Sequence, residues 1–303
     1  MSTWFAAGRT LDWAQVDVFA ERAYEGNMLA IFPDGRGLTD EQMQSLARET
    51  NLSETTFILP TTPEEERAHG VRVRIFTVEE ELPFAGHPTL GTASWLWANH
   101  ALLGGQGEVK LKLNVGTISV RFRKQAEGEA GVYAEMRQRD PEFGASPGQD
   151  AIAAACGLAP GDLHRELPPQ VVSTGLPFCI VPLASLDALQ RLRIDTARMA
   201  EALAGTAAKF VYAITPQGKA WRARMPFHGA DDPATGSAAG CAISYLVKHG
   251  AVPSEAATTI HQGIEVHRPS HIDVRASLRD HAVTDVFVGG RTIPVASGRF
   301  THP

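Results

Sequence analysis

One sequence pattern occurs twice in this chain and constrains its fold more than any other feature. Residues 83–97 read PFAGHPTLGTASWLW, and residues 226–246 read PFHGADDPATGSAAGCAISYL. Each copy has Pro-Phe-x-Gly, then His or Asp directly before a Pro, and then Gly-[Ser/Thr]-Ala. The copies lie too far apart for a solenoid repeat. The pattern therefore predicts two related units of helices and strands (α/β), each the size of an ordinary domain.

Short strands and two helices are predicted in the first half of the chain. Residues 71–77 (VRVRIFT) alternate apolar and charged side chains, which is the period of a half-buried strand. Thr39 and Gln42 have the spacing of a capping box and predict a helix over residues 40–51. A second helix is predicted to begin at Pro88. Further strands are predicted over residues 16–20, 28–32 and 55–59, and as a pair over 111–122 with a turn at 114–116.

The domain boundary is predicted at a polar, glycine-containing segment, residues 124–131. The predicted domains are residues 1–128 and 129–290. The tail contains two predicted strands around the Gly289-Gly290 pair, and residues 291–303 are expected to return to the first domain.

The two motif copies predict helix N-termini that are suited to binding an anion. Proline is favoured in the first helical turn, and Asp232 before Pro233 is predicted to be an N-cap. Small residues follow, among them Gly236 and Ser237, and leave the first-turn N–H groups accessible to a carboxylate. His87 and Asp232 would each add a titratable side chain, and the two helices are expected to face one cleft. Two well-capped, purely structural helices remain the simpler alternative.

Composition excludes several classes of protein. The net charge is −6 and no basic run is present, which argues against a nucleic-acid partner. No apolar stretch approaches the ~20 residues of a membrane span, and no signal peptide is evident, so a cytoplasmic protein is expected. Cys156, Cys179 and Cys241 are predicted to be buried free thiols. The spacing of the histidines at 261, 267 and 271 fits no zinc pattern, and no metal is expected.

These residues resemble the phenazine-biosynthesis PhzF-like family of isomerases, which shares its fold with diaminopimelate epimerase. The matching segments cover nearly the whole chain, and Asn-Leu-Ser-Glu, Gly-His-Pro-Thr and Asp-Pro-Ala-Thr-Gly-Ser-Ala in this order are specific together. The resemblance implies an α+β fold of two pseudo-symmetric domains, each a curved, barrel-like sheet around a central helix. It also implies a site in the cleft between the domains, and homodimers are common in this family.

The resemblance also implies roles for individual residues. Glu54 would be the catalytic acid–base, assisted by His87 and Asp232, while Ser237 and the backbone at Gly86 and Gly236 would hold the substrate. No cofactor is implied. The expected activity is a proton-transfer isomerisation of a small carboxylate-bearing metabolite. Three positions depart from the family pattern: Met28, Asp231 and His267. Of these, Asp231 and His267 bear on the identity of the substrate.

Two other functions remain open at the level of sequence. An amino-acid epimerase or racemase of the same fold would use two thiols, but no cysteine stands at either motif start. A small-molecule-binding protein that keeps the fold without turnover is the second alternative. Ser237 lies in Thr-Gly-Ser-Ala and not in a G-x-S-x-G elbow, so a nucleophilic role is not expected.

Overall fold

The computed structural model describes residues 8–125, 128–227 and 229–302. The chain divides into two compact units, one formed by Met1–Met136 with Arg291–Pro303, and the other by Arg137–Gly290. The sequence had placed the boundary between residues 128 and 129, whereas in the structure the strand over Val132–Arg137 still pairs within the first unit. None of the described helices combines the length and apolar character needed to cross a bilayer.

The first unit is a closed barrel of eight strands. Its order is β1-β2-β3-β4-β6-β7-β8-β18, and β18 closes the barrel by pairing with β1. The elements of this unit are β1 (Arg9–Val18), β2 (Asn27–Phe32), α1 (Asp40–Thr50), β3 (Glu54–Leu59), α2 (Pro63–His69), β4 (Val71–Phe76), β5 (Glu81–Leu82), α3 (Gly86–Asn99), β6 (Glu108–Leu113), β7 (Gly116–Phe122), β8 (Val132–Arg137) and the end of β18 (Ala282–His302).

Helix α3 is the central helix of the first unit. It packs against β1, β2, β3, β6 and β7, and all of its first nine residues are buried. A Cβ atom on Gly91 would lie 2.7 Å from both Leu29 Cδ2 and Val18 Cγ2, so the absence of a side chain lets the helix approach the sheet. A helix that is apolar on all sides is stable only in such a buried position.

The second unit is a strongly bent sheet around a second buried helix. Its order is β18-β17-β16-β13-β12-β11-β10-β9, and α7 packs against β10, β11, β12 and β17. Helices α4, α5 and α6 bury another apolar cluster with the opposite face of the sheet. The elements are β9 (Glu142–Phe143), α4 (Gln149–Ala155), β10 (Gln170–Ser173), β11 (Pro177–Pro182), α5 (Leu186–Arg191), α6 (Thr196–Ala202), β12 (Phe210–Gln217), β13 (Ala220–Arg224), β14 (Pro226–Phe227), β15 (Ala230–Asp231), α7 (Gly236–Lys248), β16 (Thr258–Gln262) and β17 (Ser270–Arg279), with 3₁₀ turns at Pro160–Asp162 and Ile264–Val266.

Two predictions about the tail and the central helices need correction. The tail is one strand, β18, and not two, because Gly289 pairs with Asp273 and Thr292 pairs with Val18, so cross-strand pairing continues on both sides of the glycines. Helix α3 begins at Gly86, ahead of the predicted Pro88. The two motif copies therefore differ in structure, since His87 lies inside its helix and Asp232 precedes its helix.

Candidate active site

Glu54 is placed by the junction between α1 and β3. Helix α1 carries the predicted capping box of Thr39 and Gln42 and ends at Asn51, which adopts the left-handed conformation that asparagine tolerates (φ 50°). Glu54 is the first residue of β3, opposite Leu29 of the parallel strand β2. Its side chain is 16% exposed, so it remains reachable from solvent while its backbone is held in the sheet.

His87 lies next to Glu54 inside the first unit. Its Nε2 atom is 3.3 Å from Glu54 Oε2, and its side chain is 7% exposed. The hydroxyls of Thr56 on β3 and Thr92 on α3 lie 2.9 Å apart and tie the helix to the strand that carries Glu54. The structure therefore brings together two of the three residues predicted to be catalytic.

Burial keeps the imidazole of His87 neutral. It lowers the pKa of His87 to about 3, and this shift is opposed by a hydrogen bond donated to the Met28 backbone carbonyl. Among the described residues no aligned hydrogen bond reaches Nε2, so the bond to Met28 is assigned to the other ring nitrogen. Nε2 then presents a lone pair to Glu54 and can accept a hydrogen bond from the carboxyl group when that group is protonated.

The N-terminus of α3 is formed by Gly86 and His87. Its N-cap residue is Ala85, whose side chain makes no capping hydrogen bond. The positive end of the helix dipole is therefore not neutralised by a capping side chain. Gly86, which the resemblance assigned to substrate binding, lies directly beside His87 and is itself buried.

Asp232 belongs to the second unit, and its predicted role as an N-cap is wrong. The N-cap of α7 is Thr235, and Asp232 lies before it. The backbone N–H of Asp232 donates to Met225, and its Oδ2 accepts a hydrogen bond of 2.5 Å from the Thr235 hydroxyl. The Thr235 side chain therefore helps to hold the carboxylate of Asp232.

Gly236 and Ser237 form the first turn of α7. Gly236 is buried and Ser237 is half-buried, and no side-chain hydrogen bond caps the helix. The carbonyl of Gly236 accepts a hydrogen bond of 2.9 Å from the Gln138 amide. Both central helices thus begin without side-chain caps, as expected of a terminus that binds an anion.

The three departures from the family pattern have distinct structural settings. Asp231 forms a two-pronged ion pair with Arg224, and both side chains are almost fully buried. His267 is exposed and has a φ of 58°, a conformation that favours the glycine usual at this position. The backbone carbonyl of Met28 accepts a hydrogen bond from His87, so this contact does not depend on the side chain of Met28.

The three cysteines are buried free thiols, as predicted. Burial raises the pKa of Cys156 and of Cys179 to about 12, and that of Cys241 to about 11. Thiols of this kind are poor proton-transfer groups near neutral pH. This setting argues against the two-thiol epimerase alternative.

Gln262 and Tyr212 were not identified from the sequence as site residues. Both are fully buried, and hydrogen bonds connect them to Thr235 and Asp232. Gln262 opens the segment QGIEVHRPS, which contributed to the family resemblance, but nothing in its local pattern indicated a contact with residues almost thirty positions earlier.

Comparison with known proteins gives the family. The protein-family model described as phenazine biosynthesis-like protein matches residues 16–298 of this chain. The trans-2,3-dihydro-3-hydroxyanthranilate isomerase of Pseudomonas fluorescens is 36% identical over 93% of this chain and 96% of its own length. An uncharacterized isomerase of Mesorhizobium japonicum is 34% identical over 96% of this chain and 99% of its own length.

Solved structures agree with the fold. A predicted epimerase from Pseudomonas aeruginosa is 37% identical, has a TM-score of 0.82, and is matched over 97% of this chain and all of its own. A hydroxyproline epimerase from Agrobacterium vitis, only 10% identical, matches 97% of this chain and 93% of its own with a TM-score of 0.63. The second match concerns the fold alone.

The chain is thus an α+β isomerase whose two related units each surround a central helix, and the predicted fold class is confirmed. It belongs to the phenazine biosynthesis-like, or PhzF, family.

Proposed function

We propose that this isomerase moves a proton within a small carboxylate-bearing metabolite without a cofactor, and that Glu54 is its acid–base group. The observation that carries the proposal is the 3.3 Å contact between Glu54 and the neutral imidazole of His87. Relatives named for isomerising trans-2,3-dihydro-3-hydroxyanthranilate make a ring compound with a carboxylate the first candidate substrate.

The chemistry follows from the partners of Glu54. As a carboxylate, Glu54 removes a proton from a carbon of the substrate, and the electron pair left behind shifts toward another atom of the same molecule. The protonated carboxyl can then donate to the lone pair of His87 Nε2, which stabilises this state until the proton returns to a different carbon. No oxidant or co-reactant is needed, because the substrate and product are isomers.

Helix termini would hold the carboxylate of the substrate. The first turns of α3, at Gly86, and of α7, at Gly236 and Ser237, lack side-chain caps and carry the positive ends of their helix dipoles. Asp232 would assist proton transfer with its carboxylate, which Thr235 holds in one orientation. The residues of α3 belong to the first unit, and Asp232 and the residues of α7 belong to the second. The role proposed for each residue is inferred from contacts within its own unit.

The test is Glu54→Gln, assayed with trans-2,3-dihydro-3-hydroxyanthranilate in heavy water by NMR. We expect the wild-type protein to isomerise the compound with deuterium incorporation. The substitution should lower turnover by about 10²- to 10⁴-fold, because it removes the acid–base group while keeping the shape of the side chain.

Glu66 offers a matched control. It lies in α2 and forms a second Glu–His pair, with Oε2 3.6 Å from His100 Nε2 and a side chain that is 10% exposed. Glu66→Gln is expected to keep wild-type turnover. Full turnover in Glu54→Gln would refute the catalytic assignment, and a wild-type protein inactive on this compound would refute the substrate assignment.

A further inference from the structure

We propose that Tyr212, Gln262 and Thr235 form a buried chain of hydrogen bonds of fixed polarity that positions the carboxylate of Asp232. The inference rests on the proposed function in so far as Asp232 assists proton transfer. All four residues belong to the second unit, and they come from β12, β16 and the segment that leads into α7.

The side-chain amide of Gln262 can take only one orientation. Its Oε1 accepts from the backbone N–H of Thr235 at 3.2 Å, and its Nε2 donates to the backbone carbonyl of Asp232 at 2.8 Å. A backbone N–H can only donate and a backbone carbonyl can only accept. A flipped amide would place its NH₂ group against the N–H of Thr235 and its oxygen against the carbonyl of Asp232, and neither pair could form a hydrogen bond. The two backbone groups therefore determine the orientation of the amide.

The direction of the amide then determines that of the Thr235 hydroxyl. Gln262 Nε2 also lies 2.9 Å from Thr235 Oγ1 and donates its second hydrogen there. Since this hydroxyl accepts from Gln262, its own hydrogen is available to Asp232 Oδ2 at 2.5 Å. Asp232 consequently receives a hydrogen bond at a fixed oxygen, which suits the ionised form of the carboxylate.

Tyr212 forms the far end of the chain. Its hydroxyl donates to Gln262 Oε1 at 2.8 Å, and its side chain is fully buried. Burial, assisted by the negative charge of Asp232, raises the pKa of Tyr212 well above its usual range, so the phenol keeps its hydrogen and remains a donor. Tyr212 and Gln262 thus act on the carboxylate through Thr235, and they are positioning residues.

The first experiment compares Thr235→Val, which removes the hydroxyl, with Thr235→Ser, which keeps it. Loss of the hydrogen bond to a charged group is expected to lower kcat about ten- to hundredfold. KM should change little, because the substituted side chain is directed at Asp232. Thr235→Ser is expected to restore most of the wild-type kcat.

The second experiment acts from the far end of the chain and stays informative if Thr235→Val fails to fold. Tyr212→Phe removes one hydroxyl and is expected to lower kcat about tenfold. Tyr245→Phe is the matched control, because Tyr245 is also fully buried and its hydroxyl donates to the Pro168 carbonyl at 2.7 Å, outside this chain of hydrogen bonds. Its kcat should equal that of the wild type.

A third measurement needs no turnover and separates this inference from the proposed function. The side-chain amide protons of Gln262, followed by nitrogen-15 NMR, should exchange slowly in the wild type and in Tyr245→Phe. They should exchange faster in Tyr212→Phe and Thr235→Val. Equal exchange in all four proteins, or equal kcat in Thr235→Val and Thr235→Ser, would overturn the inference. A wild-type protein inactive on the assayed compound would refute the substrate assignment of the proposed function, and the NMR result would still test whether Tyr212 and Thr235 hold the amide of Gln262.

Discussion

The Nε2 atom of His87 lies 3.3 Å from Oε2 of Glu54, although burial holds the imidazole neutral across the physiological pH range. A neutral imidazole next to a carboxyl group acts as a hydrogen-bond acceptor and not as a counter-ion. The imidazole can therefore accept a hydrogen bond from Glu54 after the carboxylate has taken a proton from carbon.

Protein stability should fall in acid because His87 is buried in its neutral form. The folded pKa of about 3 lies below the value of 6.5 for an unperturbed histidine, so the unfolded chain binds more protons between these values. This contribution to stability is complete above pH 6.5 and is lost as the pH falls toward 3. Between pH 6.5 and pH 5 the free energy of unfolding is expected to fall by about 2 kcal/mol from this cause.

The measurement is urea unfolding of the wild type and of His87→Gln at several pH values. We expect the loss of stability between pH 6.5 and pH 5 to be smaller in the variant. His69→Gln, at an exposed histidine at the end of α2, should retain the wild-type dependence. Parallel pH curves for the wild type and His87→Gln would show that His87 does not cause the acid loss.

The buried ion pair between Asp231 and Arg224 should be important for stability. Removing one partner of such a pair leaves a buried charge, so Asp231→Asn is expected to lower the free energy of unfolding by about 3 kcal/mol. Arg224 also donates to the carbonyls of Leu189, Gln190 and Leu192, and cannot readily move out to water. Chemical denaturation measures the change.

An exposed pair supplies the comparison for this prediction. Asp34 and Arg36 make a contact of the same kind at 2.6 Å, but both side chains are largely in solvent. Asp34→Asn should leave the unfolding free energy nearly unchanged, because solvent screens the exposed charges. Similar losses in Asp231→Asn and Asp34→Asn would contradict the importance assigned to burial.

The close contact of α3 with the barrel predicts the effect of Gly91→Ala. The new methyl group would lie 2.7 Å from Val18 Cγ2 and Leu29 Cδ2, within a fully packed interior. Overpacking of this kind costs about 1–3 kcal/mol, which exceeds the gain of at most about 1 kcal/mol that alanine brings to a helix. A thermal or urea unfolding experiment should therefore show a less stable protein.

Gly107→Ala is the matched control for the packing prediction. Nothing lies within 4 Å of a Cβ atom at Gly107, and its φ is not in the left-handed region. Stability should stay within about 0.5 kcal/mol of the wild type. A Gly91→Ala protein as stable as Gly107→Ala would show that the helix can move away from β1 and β2 without cost.

The cysteines should be inert in the folded protein. Burial raises the pKa of each thiol to about 11 or 12, so the reactive thiolate is scarce and shielded at neutral pH. After iodoacetamide treatment, mass spectrometry should show all three thiols unmodified in the native protein and modified in urea, with turnover retained. Loss of turnover on alkylation of one native thiol would instead favour the two-thiol epimerase mechanism.

Local rules predicted many elements correctly. The capping box at Thr39, the strand alternation over residues 71–77 and the turn at 114–116 each depend on side chains close in sequence, and the structure contains all three. The start of α7 was harder to predict. Asp232 before Pro233 satisfies the local preference for an N-cap, but in the structure the N-cap of α7 is Thr235, and the carboxylate of Asp232 accepts a hydrogen bond from the Thr235 hydroxyl.

The sequence by itself determined the class of fold, the doubled motif, the residue types at positions 54, 87 and 232, and the family they resemble. Only the tertiary structure decided which of those residues contact each other and in what charge state. Glu54 and His87 are 33 positions apart in the sequence, and the pKa of His87 depends on its burial in α3, which packs against β1, β2, β3, β6 and β7. Gln262 likewise becomes a partner of Thr235 and Asp232 through the pairing of β13 and β16 and the packing of α7. Desolvation and hydrogen-bond polarity arise from atoms that are distant in sequence and close in space, so no local pattern could encode them.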